Sequence, residues 1–280
     1  MANIHSTSII EPGAELADDV EVGPFCYIGS KVRIGSGTRL ISHVMVQGRT
    51  TIGSDNRIWS QAVVGADPQD LKFHGEDAEL IIGDNNDIRE CASLHIGTEN
   101  GGGFTRVGND SLIMAYAHVG HDCIIGDNCI VTNAVQLAGH IVMEDHAIIG
   151  GATAVHSFVT VGQYAYVGGM TRCVHDVPPF MIVEGNPAKV RGVNRIGMER
   201  NRFDPVSIMS VREAYKRLYR GIDDGTCNNT SEKLIALERD YPDDECIGII
   251  VQFVRNRAIG THGRFRETTR KDDRHANPAK

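Results

Sequence analysis

Large aromatic side chains are scarce here: Phe, Tyr and Trp make up 6% of the 280 residues, with 1 Trp. Sandwiches and helical bundles fill their cores with large side chains, so this shortage disfavours both. No apolar run is long enough to cross a bilayer, which excludes a membrane-spanning helix. The start, Met1-Ala-Asn-Ile-His-Ser, lacks the basic flank and apolar stretch of a secretory signal. The 7 cysteines form no Cys-x-x-Cys pair, which argues against a structural zinc site and, without a signal, against a disulfide framework. Reduced thiols in a cytoplasmic protein are the expectation.

Positive charge is also sparse over most of the chain. Residues 1–165 hold 8 Lys and Arg against 20 Asp and Glu, whereas residues 166–280 hold 20 against 16. The late cations include Arg191, Arg195, Arg200, Arg202, Lys216, Arg217, Arg220 and a run from Arg264 to Arg274. That half suits an acidic macromolecular partner or a merely solvated surface; no nucleic acid is expected.

Glycine is abundant, and its placement is periodic. Ile4, Ile10, Leu16, Val22, Ile28 and so on to Val64 fall every six residues, and a second train runs from Val107 to Val167, with Ile82, Ile88 and Leu94 between. Two residues before most of these stations sits a small or slim residue, such as Cys26, Val44, Ala117, Cys123 or Cys129, and a glycine often follows. Such a rhythm marks a parallel β-helix in which three hexapeptides close one triangular coil and each aliphatic stacks on the one eighteen residues later. Glycine at the bends is expected to supply backbone conformations that a side chain would resist. Roughly eight to ten coils at strand spacing give a rod of about 40 to 50 Å.

Two stretches break the beat, residues 66–79 and 97–105, and both read as loops leaving the rod that could form part of a binding site. Beyond Gly169 the beat fades. Helices are expected from Asp204-Pro205 to Arg220, from Thr230, and from Asp243 to Ala258, with a polar frayed tail from Thr261. The chain divides into a β-helix over residues 1–190 and a helical domain over 191–280.

Against this apolar scaffold the stretch Tyr116-Ala-His-Val-Gly-His-Asp-Cys123 stands out, with His140 and His156 in later coils and His95 in an earlier one. Histidines gathered from successive strands suit zinc; they equally suit a general base that takes a proton from a hydroxyl nucleophile, with Gly139 offering an unencumbered N–H to an oxyanion.

These segments, with Leu137-Ala-Gly-His140, Gly150-Gly-Ala-Thr-Ala-Val-His156, Asp176-Val-Pro-Pro-Phe180, Gln69-Asp-Leu-Lys72 and Gly101-Gly-Gly103, resemble the left-handed hexapeptide-repeat acyltransferases. Within them the match is to the UDP-N-acetylglucosamine O-acyltransferase family that opens lipid A biosynthesis, and it covers essentially the whole chain. The resemblance implies a left-handed parallel β-helix, a homotrimer, and a 3-hydroxyacyl chain moved from acyl carrier protein to the 3-hydroxyl of UDP-N-acetylglucosamine, with no cofactor and no metal. It makes His121 the general base, Asp122 its orienting acid and Gly139 the oxyanion donor. It places Asp70, Lys72, His95, His118, His140 and His156 among substrate-binding residues, Asn194 and Arg200 near the uridine and phosphate, and Gly169 where acyl length is limited. Asp122 pairs with His121 only if the strand bends between them, since adjacent strand side chains point to opposite faces. Ser157 stands where the family often carries Gln. The rival readings are an acetyl-CoA-dependent acetyltransferase, a zinc-dependent carbonic anhydrase of the same rod fold, and a non-enzymatic scaffold.

Overall fold

The computed structural model describes residues 1–220 and 230–270. Short strands, most of them two residues long and ending on a station, assemble among the described residues into three sheets of 11, 9 and 8 strands, parallel but for the last pair of the first, that wrap a common core as a left-handed β-helix. Paired strands are ordinarily 18 residues apart, as in Asn3↔Glu21 and His118↔Gln136. The first loop stretches the spacing to 30 for Arg57↔Asp87, and the second to 25 for Ser93↔His118. The stations stay aligned across both loops, with one register shift where the first loop leaves the rod: Val64 pairs with Leu94 and Ala66 with His95. Ile58, Ile88, Ile113, Val131 and Val167 form one fully buried internal ladder, each 0% exposed. Such continuous burial of aliphatics is what stabilises a fold whose coils touch only their neighbours.

The corners differ from expectation. Positive φ belongs mostly to non-glycine residues three before a station, among them Phe25, Asp55, Tyr116, Asp122, His140, Phe158 and Met170, with φ between 56° and 68°. Of the station-following glycines, only Gly65, φ 81°, shares that conformation among the described residues. The others are small because the next coil lies against them: a Cβ on Gly35 would sit 2.7 Å from the Gly53 carbonyl, and one on Gly23 1.8 Å from Ile41 O. Gly29 has room, its nearest contact being an ordinary 3.5 Å. Gly35→Ala is therefore expected to destabilise the protein by about 1–3 kcal/mol, and Gly29→Ala by less than about 0.5 kcal/mol, in urea unfolding. Equal costs at the two sites would return the glycines to a conformational role.

Two slim stations carry asparagine. Asn86 donates to Asn56 Oδ1 from N at 2.9 Å and from Nδ2 at 3.0 Å, and Ser111 N donates to Asn86 Oδ1 at 2.9 Å, so polar groups inside the rod are paired.

The rod closes with an antiparallel hairpin, Met181–Glu184 against Lys189–Val193, which the fading repeat did not reveal. Helix α1, Arg195–Arg200, follows unforeseen; α2, Pro205–Tyr219, α3, Thr230–Asp240, and α4, Glu245–Ile259, stand where expected. Asp204 caps α2 by accepting from the N–H groups of Val206 and Ser207, and Asp244 caps α4. Leu218, Leu237 and Ile250 build a second apolar core that meets the rod through Phe180 and Met181.

The tail does not fray at Thr261. A 3₁₀ turn, Phe265–Thr269, returns to the rod. Asp176 holds it, accepting from Phe265 N at 2.8 Å and donating its own N–H to Gly263 O at 2.9 Å, while Arg264 donates to Val174 O at 2.7 Å. Lys271 and Arg274, counted among the late cations, lie outside the described residues.

Candidate active site

One corner of the rod carries His121, Gly139-His140 and Ser157-Phe158 in successive coils, and here the two loops and the C-terminal turn meet around a cavity of about 700 Å³. The first loop contributes Gln69, Asp70, Lys72 and Glu76, the second Thr98, Asn100, Gly101 and Gly102, and the tail Arg266, Thr269 and Arg270.

The bend that the sequence demanded between His121 and Asp122 is present. Asp122 has φ 61°, which turns its carboxylate back so that Oδ2 lies 2.6 Å from His121 Nδ1. The carboxylate also accepts from Thr98 N and Thr98 Oγ1, both at 2.7 Å, and the Asp122 N–H donates to Thr105 Oγ1 at 2.8 Å. Burial acts to raise the Asp122 pKa, but the hydrogen bonds from His121 and Thr98 outweigh it and hold the carboxyl below its usual range. Gly101 has to be glycine, because a Cβ there would fall 1.9 Å from Asp122 Cγ.

An ionised Asp122 fixes the His121 tautomer: Nδ1 carries the proton and donates, leaving the Nε2 lone pair free. That nitrogen lies over Gly139, where an added Cβ would sit 2.6 Å from it. Among the described residues the Gly139 N–H has no protein acceptor. His140 stands edge-on to His121 at 5.0 Å and stacks on Phe158 at 4.4 Å. Burial pushes His140 down to about 4, against the pull of Asp122.

His121, Asp122 and His140 present ligand atoms within 4.8 Å of one another, a spacing that could hold a metal ion. A metal there would share the Asp122 carboxylate with His121 and Thr98.

A family model for the second domain of UDP N-acetylglucosamine O-acyltransferase matches residues 176–262, and one for bacterial transferase hexapeptide repeats matches residues 104–139. The UDP-N-acetylglucosamine acyltransferase of Bacteroides fragilis is 38% identical, with TM-score 0.86, over 90% of this chain and 97% of that one. For the UDP-N-acetylglucosamine O-acyltransferase of Moraxella catarrhalis the figures are 39%, 0.83, 89% and 95%. The chain belongs to this family. The UDP-N-acetylglucosamine acyltransferase of Arabidopsis is 34% identical, with TM-score 0.79, over 92% of this chain and 98% of that one.

In this acyltransferase Asp70, Lys72, His121, His140 and His156 share the cavity; His156 Nδ1 donates to Ser157 O at 3.0 Å. His95 and His118 do not line it. They meet edge-to-face at 4.8 Å beside it, with His118 Nδ1 2.8 Å from Ser93 Oγ. His95 is 4% exposed, its Nδ1 has no partner among the described residues, and burial pushes it down to about 4, helped by His118 and His121.

Three other candidates also lie elsewhere. Gly169 is exposed at a different corner, against the Gly151 backbone. Asn194 is buried as the cap of α1, donating to Tyr164 O at 2.8 Å and accepting from Gly197 N at 3.0 Å, and Arg200 ends that helix. Within one chain of the acyltransferase, then, none of the three reaches His121.

Sequence reasoning missed Thr98, Phe158, Arg266 and Arg270. Phe158 had a signal, since it lies eighteen residues after His140 at the same corner. Arg266 had none. Cys123 and Cys129 are excluded as nucleophiles: both are fully buried in the rod, and burial pushes both up to about 12. Ser157, overlooked as a hydroxyl of the site, does line the cavity.

Proposed function

We propose that this acyltransferase moves a 3-hydroxyacyl chain from acyl carrier protein to the 3-hydroxyl of UDP-N-acetylglucosamine, the opening step of lipid A biosynthesis in the cytoplasm. The observation that carries this reading is the free Nε2 of an Asp122-oriented His121 set against Gly139 in a cavity. His121 Nε2 takes the proton of the sugar hydroxyl as the oxygen attacks the thioester carbonyl. The carbonyl oxygen gains negative charge in the tetrahedral intermediate, and the Gly139 N–H stabilises it. Collapse of the intermediate breaks the C–S bond and releases the thiol form of the carrier with the proton His121 held. Transfer is direct: among the described residues no Ser or Cys side chain is hydrogen-bonded to a cavity histidine, as an activated nucleophile requires.

Other assignments belong to the same proposal. His95 and His118 shape the site from behind, and Asp70, Lys72, His140 and His156 contact substrate. Asn194, Arg200 and Gly169 serve a site completed by neighbouring chains of a homotrimer. A glycine at 169 leaves the acyl groove open to a long chain. Residues 1–190 and 191–280 are taken as two domains, supported by their separate apolar cores. The acidic carrier docks on exposed cations; Arg191, Arg200 and Arg202 have no ion pair among the described residues, whereas Arg217 is taken up by Glu213 and Asp240. Among the described residues no helix is long and apolar enough to cross a membrane.

The test is mass spectrometry of products formed from UDP-N-acetylglucosamine and a mixture of 3-hydroxyacyl carrier proteins, with acetyl-CoA in parallel. An O-acylated nucleotide sugar from the carrier-bound donors is expected. Product from acetyl-CoA alone would overturn the reading.

A further inference from the structure

Arg266 differs from the other cations around the cavity. Arg270 pairs with Glu267 at 3.5 Å and lies over the Phe158 ring at 5.8 Å. The Arg266 side chain makes no hydrogen bond or ion pair with any described residue, and its Nε is buried without a partner. Burial holds its pKa below the usual arginine range, although Asp122 and Asp176 act in the opposite direction. A half-buried guanidinium whose Nε is shut off from both water and protein acceptors stabilises nothing by itself, and an anion in the cavity would supply the missing acceptor.

Nor is the side chain carried on a loose end. The turn that bears it is fixed by Asp176, 4% exposed, and by Arg264, 6% exposed, which pairs with Glu267 at 2.5 Å. The fold thus spends two buried charged residues on holding an unpaired third at the cavity wall, on the tail side of a site whose opposite walls are Asp70 and Thr98.

We propose that Arg266 is the anion-recognition residue of this cavity and binds a phosphoryl group of a substrate. Phosphate oxygens match the planar fork of a guanidinium, and a partly desolvated arginine is the side chain suited to them. Resting on the function proposed above, two substrates offer that chemistry: the diphosphate of the nucleotide sugar, and the phosphodiester of the pantetheine arm on the acyl carrier. Arg266 is a positioning residue here; the proton transfer remains with His121.

The test compares the full chain with Arg266→Gln and Arg266→Lys. Gln is chosen because the guanidinium makes no protein contact whose loss would release the turn. KM is measured for each substrate with the other saturating. One of the two values is expected to rise at least about tenfold in Arg266→Gln, with kcat changed less than about threefold and partial recovery in Arg266→Lys. If the rise is in the donor, an acyl-pantetheine lacking the phosphate should serve both proteins equally; if it is in the acceptor, the sugar nucleotide is the ligand. Both KM values within twofold of the parent, or a loss confined to kcat, would overturn the assignment.

Thermal melting with inorganic pyrophosphate separates this proposal from the reaction it rests on. Stabilisation of the parent but not of Arg266→Gln supports the anion site even if no acyl transfer is found. Normal transfer by the parent, matched by Arg266→Gln, removes the anion site and leaves the reaction standing.

Discussion

His121→Ala is expected to slow acyl transfer by about 10²–10⁴-fold at saturating substrates, with the fold retained. The ring makes one side-chain hydrogen bond and lines the cavity, so its loss enlarges that cavity and leaves the aliphatic core of the rod intact. Asp122 keeps two donors from Thr98 at 2.7 Å and stays satisfied. Three neighbouring histidines cannot take over. His140 and His95, held down to about 4 by burial, are weak proton acceptors at neutral pH. His118 is lowered in the same way and has its Nδ1 engaged by Ser93. Steady-state rates with 3-hydroxyacyl carrier protein check the expectation, and near-parental kcat in His121→Ala would remove the base from its assigned place.

The repeat made the rod legible because its physics is one-dimensional: where no loop intervenes each station looks only at the stations eighteen residues away, so periodic aliphatics are enough to place Val119 on Leu137 and Leu137 on Val155. The same alignment groups His121 with Gly139-His140 at one corner. What could not be read was the content of the corners. A glycine needed for close approach, such as Gly35, and one needed for positive φ, such as Gly65, are the same letter. The Asp122 bend was stated as a condition of pairing with His121, and the corner geometry supplies it, because the residues at the same corner in the next two coils, His140 and Phe158, are turned the same way. Long-range returns carry no periodic mark at all. Arg266 reaches the cavity through contacts of its turn with Val174 and Asp176, some ninety positions earlier, and a polar tail sequence gives no sign of that. Asn194 shows the converse: its cap of α1 became visible only once the short helix did.

Acid is expected to destabilise this protein before its carboxylates titrate, because buried histidines are kept neutral inside it, His95 and His140 foremost among the described residues. His95, 4% exposed, and His140, with a side chain 19% exposed, are lowered from 6.5 to about 4, in each case mainly by burial. Below pH 6.5 the unfolded chain binds a proton at each of these residues, whereas the folded chain does so only below about 4. Across that window the unfolded state holds more protons, so stability falls as pH falls. Each histidine removes about 2 kcal/mol between neutral pH and pH 5, about 4 kcal/mol for the pair, a large part of the stability of an ordinary domain. Asp122 works in a lower window: its depressed pKa keeps its contribution intact above the ordinary carboxylate range and releases it only as pH falls through the folded value. The measurement is urea unfolding at pH 7.5, 6, 5 and 4.5 for the parent and for His95→Gln. The parent should lose stability steeply below pH 6.5, and His95→Gln should show a shallower slope, the remainder belonging to His140 and His118. A parent whose stability is the same at pH 7.5 and pH 5 would mean that the rod accommodates charged imidazoles at these positions, and the neutral cluster around His121 would then have to be discarded.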